Sequence, residues 1–334
     1  MRRLRTWVHD PEAPSYRYRL AAMFPVLERR GFSRETEMFP RRRYGLRVLE
    51  RRKVLKTLDL LVVAKLKILP GESTVVRASA RRIVYDFDDA IYFAKPERPG
   101  EPADRSAFRI RKFAATCRMA DLVVAANDEL AAFAGRWARR VEVVPTGVDV
   151  TRYPPAENPR ASRPALVWIG LPGNLSYLEL VRPAIGVLAR EFPGLSLRII
   201  CSRFPDWPEV PIERVAWTEE SAPSALASAS IGIMPLSDDE WTRGKRGFKL
   251  LQYMAARLPC VASPVGSNRE IVAEGETGYL PADERGWLDA LRTLLRSEDR
   301  RRAMGEAGRA KVERLFSIVR IAEHTADLYE ELAD

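Results

Sequence analysis

The feature that most constrains this chain is an alternation of short apolar runs with helix-period segments, broken once and then restarted. Residues 58–64, Leu-Asp-Leu-Leu-Val-Val-Ala, form a near-continuous apolar run of the kind found in parallel strands covered on both faces. Further strands are predicted at 4–9, 36–39, 83–85, 122–126 and 141–144. Helices are predicted between them: 16–27 with Ser15 as N-cap and Gly31 as stop, a basic helix over 43–56, and helices over 108–119 and 128–137. Residues 151–163 are proline-rich and polar and read as a linker. The alternation then resumes, with strands at 165–169, 195–201, 215–217 and 231–234 and helices over 177–191, 224–229, 287–296, 301–315 and 318–332. This pattern predicts an α/β protein with two Rossmann-like parallel sheets, over 1–150 and 164–317, facing a cleft. Ligands in such sheets sit beyond the carboxyl ends of the strands, so the loops after Tyr85, Ile169, Met234 and Val265 are expected to line that cleft. The first loop lacks Gly-x-Gly-x-x-Gly, which argues against a dinucleotide in the first half.

Composition narrows the function. The 334 residues are 46% hydrophobic and 30% charged, and no apolar run approaches 18 residues, so no spanning helix is expected. The N-terminus does not read as a secretory signal, and a cytoplasmic protein is expected. Three widely spaced cysteines, Cys117, Cys201 and Cys260, suggest reduced, buried thiols. With His9 and His324 as the only histidines, a histidine metal site or a Ser/His/Asp triad is not expected. Charge is uneven: residues 1–150 carry 31 Lys and Arg against 19 Asp and Glu, whereas the remainder carries 24 against 26. The excess peaks between Arg41 and Lys56, where Arg41, Arg42, Arg43, Arg51 and Arg52 contribute. That patch suits a polyanion, either an anionic membrane face or a lipid-diphosphate acceptor, or is a solvated arginine-rich helix. Only Tyr44 interleaves it, which argues against nucleic acid.

The stretch from Gly244 to Glu270 carries the chemistry. On a helical wheel Phe248, Leu250, Leu251, Met254 and Leu258 share one face, while Lys245, Lys249 and Gln252 share the other. Two lysines in a first helical turn oppose the positive end of the helix dipole unless an anion sits there. Free backbone N–H groups, the dipole and both lysines suit a phosphate or diphosphate. Gly266, Ser267, Asn268 and Glu270 form a second turn opening a helix, where Glu270 either meets the ligand or stabilises the helix start. Asp86, Asp88 and Asp89 crowd one strand end and must be paired, protonated or metal-bound. Two readings stay open. Asp86 or Asp89 caps a turn and pairs with arginines, or Asp88 or Asp89 faces the cleft and orients an acceptor hydroxyl.

The run from Gly247 through Val272, continued by Glu274 to Leu280 and Met304 to Arg309, resembles the donor-binding segment of family-4 retaining glycosyltransferases. The segments 120–127 and 144–149 resemble the end of that family's first domain. The resemblance implies the GT-B fold, with a final helix (318–334) packed back on the first domain. It also implies transfer of a sugar, with retention, from a nucleotide diphosphate donor, UDP- or GDP-linked, to a hydroxyl of a glycan or lipid-linked acceptor. No cofactor and no metal are implied, and the protein would lie in the cytoplasm with peripheral contact at the inner membrane face. Donor contacts are expected from Gly170, Asn174, Arg246, Gly247, Phe248, Gln252, Gly266, Ser267, Asn268 and Glu270. Lys245 and Lys249 would stabilise the leaving diphosphate. The family's Glu, seven residues, Glu pattern falls on Gly244 and Gln252, so both carboxylates are replaced. Asp238, Asp239, Glu240 or the backbone at Gly247 and Phe248 would then meet the donor sugar. A catalytically degenerate binding scaffold, or an epimerase or hydrolase on the same fold, are the alternatives.

Overall fold

The computed structural model describes residues 1–39, 44–153 and 164–334. Arg41, Arg42, Arg43 and most of the expected linker lie outside the described residues. Among the described residues twelve strands form two six-stranded sheets in which every strand pairing is parallel. The first sheet holds β1 (Arg2–Val8), β2 (Phe32–Met38), β3 (Leu60–Ala64), β4 (Ile83–Phe87), β5 (Leu122–Ala125) and β6 (Val141–Val143), in the order β2-β1-β3-β4-β5-β6. The second holds β7 (Ala165–Ile169), β8 (Ser196–Cys201), β9 (Ile212–Ala216), β10 (Ile231–Met234), β11 (Cys260–Ala262) and β12 (Gly278–Tyr279), in the order β12-β11-β10-β7-β8-β9. Strand order reverses between β1 and β3 in one sheet and between β7 and β10 in the other. Those crevices are where such sheets take ligands.

Burial explains why the runs are apolar throughout. All five residues of β3, β4 and β7 are buried, because helices cover both faces of each sheet. Two clusters flank the first sheet. One gathers Trp7, Val63, Tyr85, Phe87 and Phe113, and the other Leu4, Val62, Val84, Phe24 and Leu27. The last helix, Ile318–Ala333, adds Ile321, Ala322, Ala326 and Tyr329 to the second of these. Arg30 fixes it further, binding Glu323, Asp327 and Glu330 on that helix. The three cysteines are buried free thiols.

Several local expectations change. The helix expected over 16–27 is split into a wide π-helical turn, Tyr16–Leu20, a 3₁₀ turn, Ala21–Met23, and the helix Phe24–Arg29. Ser15 caps nothing; its hydroxyl accepts from Lys65 Nζ at 2.9 Å. The second strand begins four residues earlier than expected, at Phe32, paired with Arg2 of β1. A helix at Pro70–Ser79 was not anticipated, because Pro70-Gly71 reads as a breaker. Proline fits the first helical position, and Glu72 accepts from Leu69 N at 3.2 Å. The helix after Gly244 starts at Phe248, so Lys245 stands in the loop before it rather than on its first turn.

Candidate active site

Backbone geometry in the second domain sets where the lysines go. Gly247 has φ +65°, and a Cβ there would stand 2.3 Å from Ile271 Cδ1, so only glycine makes the turn into Phe248–Ala255. From that helix Lys249 reaches back over Trp168, its Nζ 4.3 Å from the ring centroid. Gly170 makes the room: a Cβ there would lie 2.8 Å from the Trp168 ring and 2.9 Å from Lys249 Nζ. Lys245 Nζ lies 3.5 Å from Asn174 Oδ1 and faces the Tyr177 ring. Lys95, from the first domain, donates to the carbonyl of Gly173 and faces the same ring.

None of these three ammonium groups has a carboxylate within 4 Å among the described residues. Burial, with Lys245 and then Lys95 adding repulsion, pushes Lys249 down from 10.5 to about 7. Burial also lowers Lys245, with Lys95 adding to it and Asp89 opposing, and burial lowers Lys95. Lys245 and Lys249, beside a helix start and with no carboxylate within 4 Å among the described residues, can accept an anion. These two, but not the exposed Lys95, border a cavity of about 310 Å³ between the domains. Its lining includes Asp89, Gly170, Asn174, Lys245, Arg246, Gly247, Phe248, Lys249 and Gln252.

The first domain closes the other wall. Lys65 sits in the left-handed region at φ +55° and bridges Asp88 Oδ1 at 2.7 Å and Asp89 Oδ2 at 2.5 Å. Burial disfavours its charge, but the two aspartates outweigh burial and hold its pKa up to about 12. Arg246 crosses from the second domain to pair with Asp88. Burial alone would raise the Asp88 pKa; Lys65, Arg246 and Arg19 together hold it well below the usual carboxylate range. Asp86 is buried against Arg19, Nε to Oδ1 2.7 Å, and is shifted upward by burial. The three aspartates therefore divide: Asp86 and Asp88 are buried in ion pairs, and Asp89 alone of them borders the 310 Å³ cavity.

Not every expected residue gathers here. Gly266, Ser267 and Glu270 line a different cleft of about 420 Å³, together with Asn127, Asp128 and Arg243. Asn268 is buried, and its amide donates to Ser263 O at 2.9 Å. Gln252 lines the 310 Å³ cavity but is buried, donating to the Tyr153 hydroxyl at 3.0 Å. Asp239 caps Trp241 and Thr242, Asp238 holds Arg243, and Glu240 holds Arg105, so none of the three reaches the cavity. A side chain at Gly244 would meet Ala90 Cβ at 2.8 Å, so this backbone leaves no space for the glutamate of the pattern. On the basic helix Tyr44–Leu55, Arg51 binds Glu37 at 2.6 Å, whereas Arg52 is exposed.

Sequence reasoning missed Lys65, Lys95, Ser15, Tyr18 and Trp217. The Tyr18 ring meets that of Phe248 across the domains, tilted, with centroids 5.0 Å apart, and Tyr18, Ser15 and Trp217 all line the cavity. Lys65 directly follows the apolar run 58–64, and that position is the signal the sequence offers for it.

Comparison with known proteins follows the same division. Residues 169–297, in the second domain, match the family described as Glycosyl transferases group 1. Among curated proteins, the chain is 28% identical over 254 residues to the alpha-maltose-1-phosphate synthase of Mycolicibacterium smegmatis, covering 64% of each chain. It is 26% identical over 233 residues to the D-inositol 3-phosphate glycosyltransferase of Nocardia farcinica, covering 61% of this chain and 51% of that one. The matches thus span less than two thirds of either relative's length. Among solved structures, the sucrose-phosphate synthase of Thermosynechococcus elongatus superposes with a TM-score of 0.75 at 16% identity, covering 99% of both chains. HepE of Anabaena, solved with UDP-glucose, superposes with a TM-score of 0.72 at 14% identity, covering 99% of this chain and 100% of that one. With its two parallel sheets the chain has the GT-B fold of these solved structures, and its residues 169–297 match the Glycosyl transferases group 1 family.

Proposed function

We propose that the protein transfers a sugar from a nucleotide diphosphate donor to a hydroxyl of a glycan or lipid-linked acceptor, with retained configuration. The observation that carries this reading is the pair of lysines, Lys245 and Lys249, that line the cavity with no carboxylate within 4 Å among the described residues. A diphosphate supplies the negative charge that these two lack, and its charge grows as the bond to the sugar breaks. Gly247 and Phe248, at the start of the helix, line the same cavity. Asp89, held by Lys65, is the carboxylate that meets the acceptor hydroxyl. With the Gly244 position closed, the donor sugar is left to Ser15, Asn174 and Asp89 rather than to a glutamate. The relatives named above act on sugars, and HepE was solved with UDP-glucose, which favours a UDP-linked donor.

Metal plays no part in this reading. Asp86 and Asp88, which form an Asp-x-Asp, are already neutralised by Arg19, Lys65 and Arg246. Among the described residues no group of three or more His, Cys, Asp or Glu could hold a metal ion.

The basic helix serves the acceptor side. Arg52, Lys53 and Lys56 are exposed there, with Met38 and Leu49 exposed close by in sequence, and together they suit peripheral contact with an anionic membrane. Among the described residues no helix is long and apolar enough to cross a membrane.

A panel of UDP-, GDP- and ADP-sugars screened by thermal shift tests the donor assignment, because a ligand that binds the native state raises its melting temperature. Proton NMR of the product then reads the anomer. No shift with any nucleotide sugar, or an inverted product, contradicts the proposal. The loss of both glutamates of the family pattern favours a second reading, a scaffold that binds the donor without turning it over; donor binding with no product would select it.

A further inference from the structure

A second group of unpaired cations lies on the first domain, away from the donor lysines. The loop after β3 carries Lys67, and the helix Ala107–Met119 carries Arg109 and Lys112. Hydrogen bonding joins the two: Ile68 N donates to Thr116 Oγ1 at 2.8 Å. Arg109, Lys112 and Thr116 are spaced i, i+3 and i+7 on the helix and so form one stripe. The bond at Thr116 therefore sets Lys67 alongside the stripe that carries the other two cations.

This cluster has no internal neutralisation. None of Lys67, Arg109 and Lys112 has a carboxylate within 4 Å among the described residues, and Arg109 Nε is buried without a hydrogen-bond partner. No Asp or Glu occurs between Asp104 and Asp121. Glu72, on the neighbouring helix, accepts from Leu69 N. Burial, with Arg109 and Lys112 adding repulsion, pushes Lys67 down to about 8, which places the three cations within electrostatic reach of one another. Apolar groups stand beside them: Phe108 is 60% exposed with Lys112 Nζ 4.7 Å from its ring centroid, and Leu69, two residues beyond Lys67, is 36% exposed.

We infer that Lys67, Arg109 and Lys112 form a binding site for the phosphate of a lipid, with Phe108 and Leu69 meeting its apolar portion. The cations supply the charge, and the exposed aromatic and aliphatic side chains distinguish an amphiphile from a water-borne phosphate. The site stands at the carboxyl edge of β3, two residues from Lys65, so a lipid held there lies on the same edge as Asp89. It is distinct from the exposed arginines and lysines of the helix Tyr44–Leu55, and it does not depend on the identity of the sugar donor.

The test is cosedimentation at low salt with phosphatidylcholine vesicles, with and without phosphatidic acid. The wild type should bind only the vesicles containing phosphatidic acid. The variant Lys67→Gln/Arg109→Gln/Lys112→Gln should partition about a hundredfold less, as expected for three basic groups near an anionic surface. Phe108→Ser should also bind the vesicles more weakly, while protection by soluble pyrophosphate in a thermal-shift assay stays at its wild-type value. Arg52→Gln/Lys53→Gln/Lys56→Gln should weaken vesicle binding as well, and Phe108→Ser should weaken it further in that background. Failure of the wild type to bind, wild-type binding by the Lys67/Arg109/Lys112 variant, or indifference to Phe108→Ser would overturn the inference. Nucleoside diphosphate titrated into the same proteins should bind the variants as it binds the wild type. Its failure to bind the wild type would count against the proposed sugar transfer and leave the vesicle result standing.

Discussion

Replacing Lys249 with Met removes the cation and keeps most of the side-chain length, and the structure sets the size of the effect. In the empty site Lys249 titrates at about 7 rather than 10.5, because it is buried and faces Lys245 and Lys95. A diphosphate diester has no group of its own that titrates near neutrality, and it favours the charged lysine. Donor binding above pH 7 therefore takes up one proton. Between about pH 7 and about pH 9 the affinity of the wild type should fall about fiftyfold, following the fraction of Lys249 that stays protonated. Lys249→Met should lose the step centred near pH 7 and bind at every pH about as weakly as the wild type does at high pH. Isothermal titration in buffers of different ionisation enthalpy reads the affinity and the proton uptake together. Stability should move with the opposite sense. The folded pKa lies below the unfolded one, so between about pH 7 and 10.5 the unfolded chain binds the extra proton and wild-type stability rises with pH. Lys249→Met should be the more stable protein at neutral pH, with the gap closing toward pH 10.5. A wild-type affinity that is flat across this range, or a variant that keeps the same step, would refute the assignment of Lys249 to the diphosphate.

Other expectations follow from single contacts. Asp88→Asn leaves Lys65 and Arg246 facing each other in a buried setting and should cost about 3–5 kcal/mol in denaturant unfolding. Because the folded Asp88 pKa is depressed, its contribution is present above the unfolded value of 3.8 and should be lost as pH falls below it. Gly247→Ala forces a side chain into φ +65° and toward Ile271, and should lower stability by about 1–3 kcal/mol while weakening donor binding. Turnover should persist in excess chelator; abolition by chelator and rescue by magnesium or manganese would make Asp86 and Asp88 metal ligands.

Much of the fold was readable because strands buried on both faces leave a plain trace. The runs at 58–64 and 165–169 are apolar without alternation, and the proline-rich break between the halves separates two such series. Local backbone chemistry was less readable. Pro70-Gly71 opens a helix that the sequence pattern did not reveal, and the π-helical turn at Tyr16–Leu20 has no periodicity that distinguishes it from an ordinary helix. Lys245, Lys249 and Gln252 were found by their shared spacing, yet spacing could not show that Gln252 is buried on Tyr153 or that Lys249 lies under Gly170. Lys65 meets Asp89 across 24 residues and Lys95 meets Gly173 across 78, so only the packing of strands and domains brings them to the site. Glu270 shares a motif with the donor-side glycines in sequence, but the turn at Gly266 carries it into the neighbouring cleft.

The most direct test of the central claim is calorimetric titration of UDP, GDP and ADP into the wild type and into Lys245→Ala/Lys249→Ala, with thermal unfolding as the control for folding. At least one nucleoside diphosphate should bind the wild type. The double variant should bind it about a hundredfold or more weakly, as loss of two charge-assisted contacts implies, without a loss of melting temperature. Equal affinity in the two proteins, or no binding of any nucleoside diphosphate to the wild type, would contradict the account.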